Sequence, residues 1–211
     1  MGAATTLRQA IENRGPYAVW DLMTEEERQQ AATALWTEGD RQTRVAIELA
    51  LAKDLKFRPQ SLRKLPVERL VGRLVRMADT LPDTVLFQFL FHLHLAQRRP
   101  LLASFLDAVG LPHTDGVLEL AEDSPEPETD KVTAAGTALV AEHGHPALVY
   151  LATLRVADAG FWKGVDPVLD RHDEQGEAVA TPEPEPEPEP ERTAKAAKTT
   201  KAARTAKAAT S

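Results

Sequence analysis

The sequence predicts an all-α protein, an irregular bundle of several helices followed by a disordered C-terminal tail. Three observations favour this class. Helix-capping residues precede amphipathic stretches, apolar residues recur with the 3.6-residue period of a helix, and proline or glycine separates one stretch from the next. No stretch requires a strand. Short stacking of helical hairpins is the alternative arrangement, although no repeat of fixed period recurs.

The first predicted helix is marked by a capping box. The Thr24 hydroxyl can accept from the amide of Glu27, while the Glu27 carboxylate reaches back to the Thr24 amide. Three successive acids, residues 25–27, also suit the positive end of a helix dipole. This helix should run to about Trp36 and end at Gly39.

The second predicted helix spans residues 41–56 and is capped by Asp40. Pro59 closes it, because the residue before a proline is kept out of the helical region. Its inward-facing positions are expected to include Val45, Ile47 or Glu48, Leu49 and Leu51.

Three prolines stand where a helix is expected to begin, since proline suits the first turn. Pro66 begins a helix to Met77, Pro82 begins one that ends at 98–100, and Pro100 begins one that Gly110 stops. The first of these carries an apolar stripe of helical period: Val67, Leu70, Val71, Leu74, Val75 and Met77.

Residues 85–96 are compatible with two structures, because apolar side chains there also alternate with the period of a strand. A strand of that length would exceed the usual range and would lack a partner. A helix that is apolar nearly all round is typical of a central, buried position, and we predict that structure. The expected core contains Leu70, Leu74, Met77, Leu86, Phe89, Leu90, Leu93, Phe105 and Leu148.

The chain is predicted to divide into four parts. A helical domain covers residues 1–122 and an acidic, proline-containing linker covers 123–130. Residues 131–172 form a helical hairpin that packs on the domain. Residues 173–211 form the tail, with a Pro-Glu spacer at 181–191 and a Lys/Ala-rich basic block at 192–211.

Composition excludes several classes of protein. Cysteine is absent, which excludes disulfides, thiolate metal sites and a cysteine nucleophile. No secretory signal is visible, and no apolar run approaches the roughly 20 residues that span a bilayer. These features predict a cytoplasmic protein that does not enter a membrane.

Motifs for catalysis are mostly missing, including phosphate-binding glycine loops, G-x-S-x-G and H-E-x-x-H. His113 and Asp115, in a loop between Pro112 and Gly116, could pair as a general base and its orienting group. Turn formation also explains both residues, and we favour that interpretation. His92 and His94 lie about 200° apart on a helix, so they are expected to border the core and not to share a metal. We therefore predict no cofactor and no metal, and the pattern leans against enzymatic activity without deciding it.

Charge is distributed unevenly within a net charge of −7. Residues 41–76 contain ten Lys or Arg against three acids, whereas residues 107–170 contain twelve acids against three bases. Arg69, Arg73 and Arg76 share one side of their helix, which indicates either a patch for phosphates or acidic proteins, or a solvated face.

The basic block of the tail carries a cation at about every third position and no acid, at Arg192, Lys195, Lys198, Lys201, Arg204 and Lys207. In composition it resembles the lysine/alanine-rich tails of linker histones and some bacterial nucleoid proteins. Cations on a flexible tether suit polyanions through counterion release. The preceding glutamates could instead neutralise them.

The sequence thus favours a non-enzymatic protein-interaction or scaffold module with a weak polyanion-binding tail. The second hypothesis is a DNA-associated protein that uses the tail together with Arg69, Arg73 and Arg76. The third is an enzyme or metal protein built around His113 and Asp115.

Overall fold

Helices account for nearly all regular structure in the computed structural model, which describes residues 6–62, 64–121 and 125–176. These residues contain eleven α-helices: α1 (Leu7–Arg14), α2 (Pro16–Leu22), α3 (Glu25–Glu38), α4 (Arg41–Leu55), α5 (Pro59–Leu62), α6 (Val67–Met77), α7 (Asp83–Gln97), α8 (Arg99–Val109), α9 (Thr129–His143), α10 (His145–Ala157) and α11 (Asp166–Gly176). The predicted all-α class is confirmed for this part of the chain.

Local capping explains where the first helices begin. The Thr24 hydroxyl accepts from the Glu27 amide and the Glu27 carboxylate accepts from the Thr24 amide, so the predicted capping box is present. Asp40 caps α4 as predicted, by accepting from the amides of residues 42 and 43. Two helices precede these, and α1 begins with a second capping box, made by Thr6 and Gln9. The sequence analysis had predicted no boundaries for α1 and α2.

A central helix organises the core. Helix α7 contacts α2, α3, α4, α8 and α10, and it is a helix, as predicted for residues 85–96. Phe89 is fully buried and meets Trp20 of α2 edge to face, with ring centroids 5.4 Å apart. All nine residues predicted for the core are buried.

Two features differ from the sequence-based expectation. Val45 and Leu49 were expected to face inward, but 48% and 56% of their surfaces are exposed, and only Ile47 and Leu51 are buried. The loop after α8 also contains a two-stranded antiparallel hairpin, β1 (His113–Thr114) and β2 (Val117–Leu118). Asp115 and Gly116 both have positive φ, the geometry of a tight hairpin turn.

The described residues fall within one compact unit, and α9 and α10 both contact the preceding helices. No helix among them has the length and apolarity that a membrane crossing requires. Residues 177–211, which include the predicted spacer and basic block, lie outside the described residues. The predicted division into domain, linker, hairpin and tail stays a prediction.

Candidate functional site

Exposed apolar side chains are concentrated between α4 and the start of α6. Seven large hydrophobic residues are exposed in the described part of the chain, and four of them are Val45, Leu49, Phe57 and Val67. Between residues 41 and 76, seven described Lys or Arg side chains are exposed and Glu68 is the one exposed acid. We call these apolar and cationic residues the α4–α6 face; its cations are Arg41, Lys53, Lys56, Arg58, Lys64, Arg69 and Arg76.

Helix geometry explains how α4 presents this face. Val45, Leu49, Lys53 and Lys56 lie within about 80° of one another around the helix axis, given 100° per residue. Ile47 and Leu51, on the opposite side, are buried. The alternating apolar residues of α4 therefore form two separate stripes, of which the core covers one.

The end of α4 places the next apolar side chain beside that stripe. Lys56 adopts a left-handed conformation with φ of 55°, and the amide of Phe57 donates to the carbonyl of Ala52 at 2.9 Å. This is the hydrogen bond of a Schellman motif, which usually has glycine in the left-handed position. The chain turns at once, and Phe57 stays 43% exposed just beyond the helix end.

Of the three arginines predicted to act together, one is occupied inside the molecule. Arg73 forms a two-pronged ion pair with Asp54 of α4, in which its Nη2 donates to Oδ1 at 2.6 Å. The hydrogen bond from Arg73 lowers the pKa of the Asp54 carboxyl, and the charge of Arg76 lowers it further. Arg69 and Arg76 are exposed on the same side of α6. The ion pair between Arg73 and Asp54 thus links α6 to α4, and the other two arginines face solvent.

The structure gives His113 and Asp115 different partners. His113 Nε2 lies 3.1 Å from Asp107 Oδ1, and its Nδ1 accepts from the amide of Gly116. Asp115 accepts from Arg99 Nη1 at 2.6 Å. The Nε2 contact ties the hairpin to α8, whereas the Nδ1 contact closes the hairpin turn itself.

The two histidines of α7 differ in environment. His94 is buried, and its Nε2 lies 3.0 Å from the Thr153 hydroxyl of α10. Burial and the charge of Arg98 hold the pKa of His94 well below its usual value. His92 is half-buried, and burial lowers its pKa against the opposing effect of Glu38 and Asp40. Among the described residues, no group of three or more His, Asp or Glu side chains could hold a metal ion.

A cluster of Glu27, Arg98 and His145, in which Glu27 and Arg98 are buried, joins three elements, and no sequence pattern predicted it. Glu27 of α3 accepts from Arg98, which precedes α8, and lies 3.1 Å from His145 Nε2 of α10. Arg98 Nη1 also donates to the carbonyl of Pro146 at 3.1 Å. Burial alone would raise the pKa of Glu27, but the Thr24 amide, Arg98 and His145 together lower it. The cluster is part of the scaffold, because all three side chains already have partners within it.

The six cations predicted to bind polyanions, Arg192, Lys195, Lys198, Lys201, Arg204 and Lys207, lie outside the described residues. The sequence did not predict the exposed stripe of α4, because Val45 and Leu49 were expected to face inward. One sequence signal could have shown this. Residues 45 and 49 lie on one stripe of α4 and residues 47 and 51 lie on another, and a surface helix buries only one such stripe.

Comparison of the chain with protein-family models, with curated proteins and with solved structures finds no match.

Proposed function

We propose that this protein is a non-enzymatic interaction module whose α4–α6 face docks a protein partner. The observation that carries the proposal is the grouping of Val45, Leu49, Phe57 and Val67, all more than 40% exposed, on one short part of the chain. Single exposed apolar residues are ordinary, but a grouped set rimmed by polar residues is typical of an interaction surface.

The charge of the face indicates the chemistry of the partner. Seven exposed cations lie on the same stretch of chain as the apolar side chains, and one exposed acid accompanies them. Charge complementarity steers association and disfavours like-charged partners. The contacting surface of the partner is therefore apolar at its centre and acidic at its rim.

The same charges disfavour pairing of this face with a second copy of itself. A two-fold symmetric dimer brings the same patch of each subunit together, which here would oppose cation to cation. The pairing of Arg73 with Asp54 removes one cation from the patch but leaves Arg69 and Arg76. A different, acidic protein fits the face better than a symmetric dimer.

The test compares two exposed leucines. Leu49→Ser changes the exposed stripe of α4, and Leu120→Ser changes another exposed leucine in the loop after β2, so each variant replaces one exposed apolar side chain with a small polar one. Titration of a captured partner into the wild-type protein should change the chemical shifts of residues 41–76. We expect Leu49→Ser to lose both the capture and these shift changes, and Leu120→Ser to keep both.

Two results would contradict the docking proposal. One is a partner that binds the Leu49→Ser variant as tightly as the wild type. The other is sedimentation of the purified protein as a dimer that Leu49→Ser dissociates, since the face would then bind a second copy.

The basic block of the tail is proposed to add a weak tether for polyanions. Six cations without an acid release counterions when they meet phosphates, so affinity for duplex DNA should fall steeply with salt. The slope of log affinity against log salt concentration should approach about −4 to −5 if most of the six cations contact phosphates. Base sequence should not matter, because lysine contacts to phosphate carry no sequence information.

Fluorescence anisotropy with a labelled duplex separates this tether from the DNA-associated alternative. Replacing Lys195, Lys198, Lys201 and Lys207 by Gln should abolish binding, whereas Arg69→Ala should leave it unchanged. Binding that survives deletion of residues 192–211 would assign the DNA contact to the α4–α6 face. Absence of binding at about 50 mM salt would contradict the tether altogether.

A further inference from the structure

A second feature, away from the α4–α6 face, is a cavity of about 440 Å³ between α7 and α10. Helix α8 and the β1–β2 hairpin form its remaining walls. Apolar side chains make up most of the lining, among them Phe87, Phe91, Leu102, Leu106, Val117 and Trp162. Small-molecule sites have volumes of this order, and most are apolar with a few polar groups that orient the ligand.

The first polar group in the wall is His94. The Thr153 hydroxyl donates to the carbonyl of Val149 at 2.8 Å, so its oxygen must accept from His94 Nε2. A neutral imidazole has one donor and one acceptor, which leaves Nδ1 as the acceptor. This Nδ1 is buried and has no hydrogen-bond partner among the described residues. Because this atom is sealed from solvent, it is out of reach of a molecule that fills the cavity, and His94 contributes only its ring to the wall.

The second polar group is the hydroxyl of Tyr150, whose side chain is 4% exposed. Its ring meets that of His94 edge to face, with centroids 5.2 Å apart, and both residues line the cavity. No hydrogen bond to the hydroxyl is formed within the described part of the chain, yet the oxygen is not among the polar atoms sealed from solvent. Buried tyrosine hydroxyls usually have a partner, so this one is available to a ligand.

The hairpin wall is held close to α8 by a glycine. Gly116 has φ of +77°, and a side chain there would come within 2.8 Å of the Arg99 carbonyl oxygen and of Leu102 Cβ. The hairpin can therefore lie directly on α8 and present Val117 and Leu118 to the cavity. Val117 and Phe91 are each about 40% exposed and form the rim.

We propose that this cavity binds a neutral, mainly apolar small molecule that carries a hydroxyl group. The apolar body fills the space between the aromatic side chains. The ligand hydroxyl accepts from the hydroxyl of Tyr150. No Asp, Glu, Lys or Arg belongs to the described lining, so a charged ligand would lose its hydration without gaining a counter-ion.

The test uses two probes that differ by one hydroxyl, naphthalene and 2-naphthol, titrated into the full-length protein. Binding is followed by the NMR signal of the Trp162 indole N–H, assigned with the Trp162→Phe variant. Both probes should shift that signal saturably. The 2-naphthol should bind roughly two- to tenfold more tightly, as one net hydrogen bond implies. Tyr150→Phe keeps the ring and should remove this preference.

A pair of alanines provides the matched control. Ala157 and Ala159 are both exposed, but Ala157 lines this cavity whereas Ala159 lines only the neighbouring cleft beside α1. Ala157→Phe should weaken both probes, and Ala159→Phe should leave both unchanged. Equal affinity of the wild type for the two probes, full binding by Ala157→Phe, or no saturable shift up to the solubility of the probes would each overturn the proposal.

Discussion

At the scale of single residues, Glu27 has a role that extends beyond its own helix. Its carboxylate completes the capping box of α3 and also contacts Arg98 and His145, which are 71 and 118 residues away along the chain. The capping role is local and was predicted. The ion pair depends on packing, because it forms only when α3, α8 and α10 meet.

Replacing Glu27 by Ala should lower the free energy of unfolding by about 3–5 kcal/mol, because Arg98 would be left buried without its counter-ion. Urea denaturation measures the loss. Glu26→Ala, at an exposed position of the same turn, should cost less than about 1 kcal/mol. Similar losses for the two variants would show that the ion pair contributes little.

His94 should make the stability of the protein sensitive to mild acid. Burial keeps the pKa of His94 well below its usual value in the folded state, whereas in the unfolded chain it titrates near 6.5. The unfolded state therefore binds the extra proton first, and the free energy of unfolding falls as the pH drops below about 6.5.

Urea denaturation between pH 7.5 and 5.5 measures the effect. His94 alone should lower the free energy of unfolding by at most about 1.4 kcal/mol per pH unit. His94→Phe should reduce the slope, whatever its effect on absolute stability. His143→Phe changes an exposed histidine and serves as the control. An unchanged slope in His94→Phe would assign the acid sensitivity to other groups.

At the scale of elements, α4 and α7 show what periodicity can and cannot predict. Helix α7 is apolar on nearly every side, and it is central because other helices surround it. Helix α4 carries two apolar stripes, and nothing within its own sequence says which one the core will cover. The exposed stripe became the centre of the candidate docking face.

Phe89 of α7 should be among the most sensitive positions of the core, because its side chain is fully buried against Trp20. Phe89→Ala should cost about 3–5 kcal/mol through lost burial and the cavity left behind. Phe91→Ala, two residues along and 41% exposed, provides the comparison and should cost much less. A loss below about 1 kcal/mol for Phe89→Ala would be incompatible with its buried position.

At the scale of the whole molecule, Leu, Ile, Phe, Met, Trp and Tyr are confined to the part of the chain that ends with α11. Residues 177–211 contain no Leu, Ile, Phe, Met, Trp or Tyr and a single Val, at position 179. A segment of that composition cannot offset the entropy of ordering by burial. The tail is therefore expected to contribute function and not stability.

Removal of residues 177–211 should leave the thermal midpoint of unfolding within about 2 °C of that of the full chain. Differential scanning calorimetry of the two proteins gives the comparison. A decrease of more than a few degrees would show that the tail stabilises the folded part, and the tether proposal would then need a different physical basis.

The sequence by itself determined that the fold is all-α, which of several segments are helical and where some of them begin. These properties arise from contacts within about four residues, such as the caps at Thr24 and Asp40 and the stripe of α6. Caps and apolar stripes of this kind can be recognised from the local sequence, because they do not depend on how distant parts of the chain pack. The nine predicted core positions follow from the same local periodicity.

Only the tertiary structure decided which surfaces and polar groups are available for function. It placed Val45 and Leu49 outside, gave Arg73, His113 and Asp115 intramolecular partners, and left the Tyr150 hydroxyl without a partner at one cavity. Each outcome depends on which elements meet across long stretches of chain. Hydrophobic burial selects the packing of all the helices together, so a short stretch of sequence does not indicate which of its side chains will be covered.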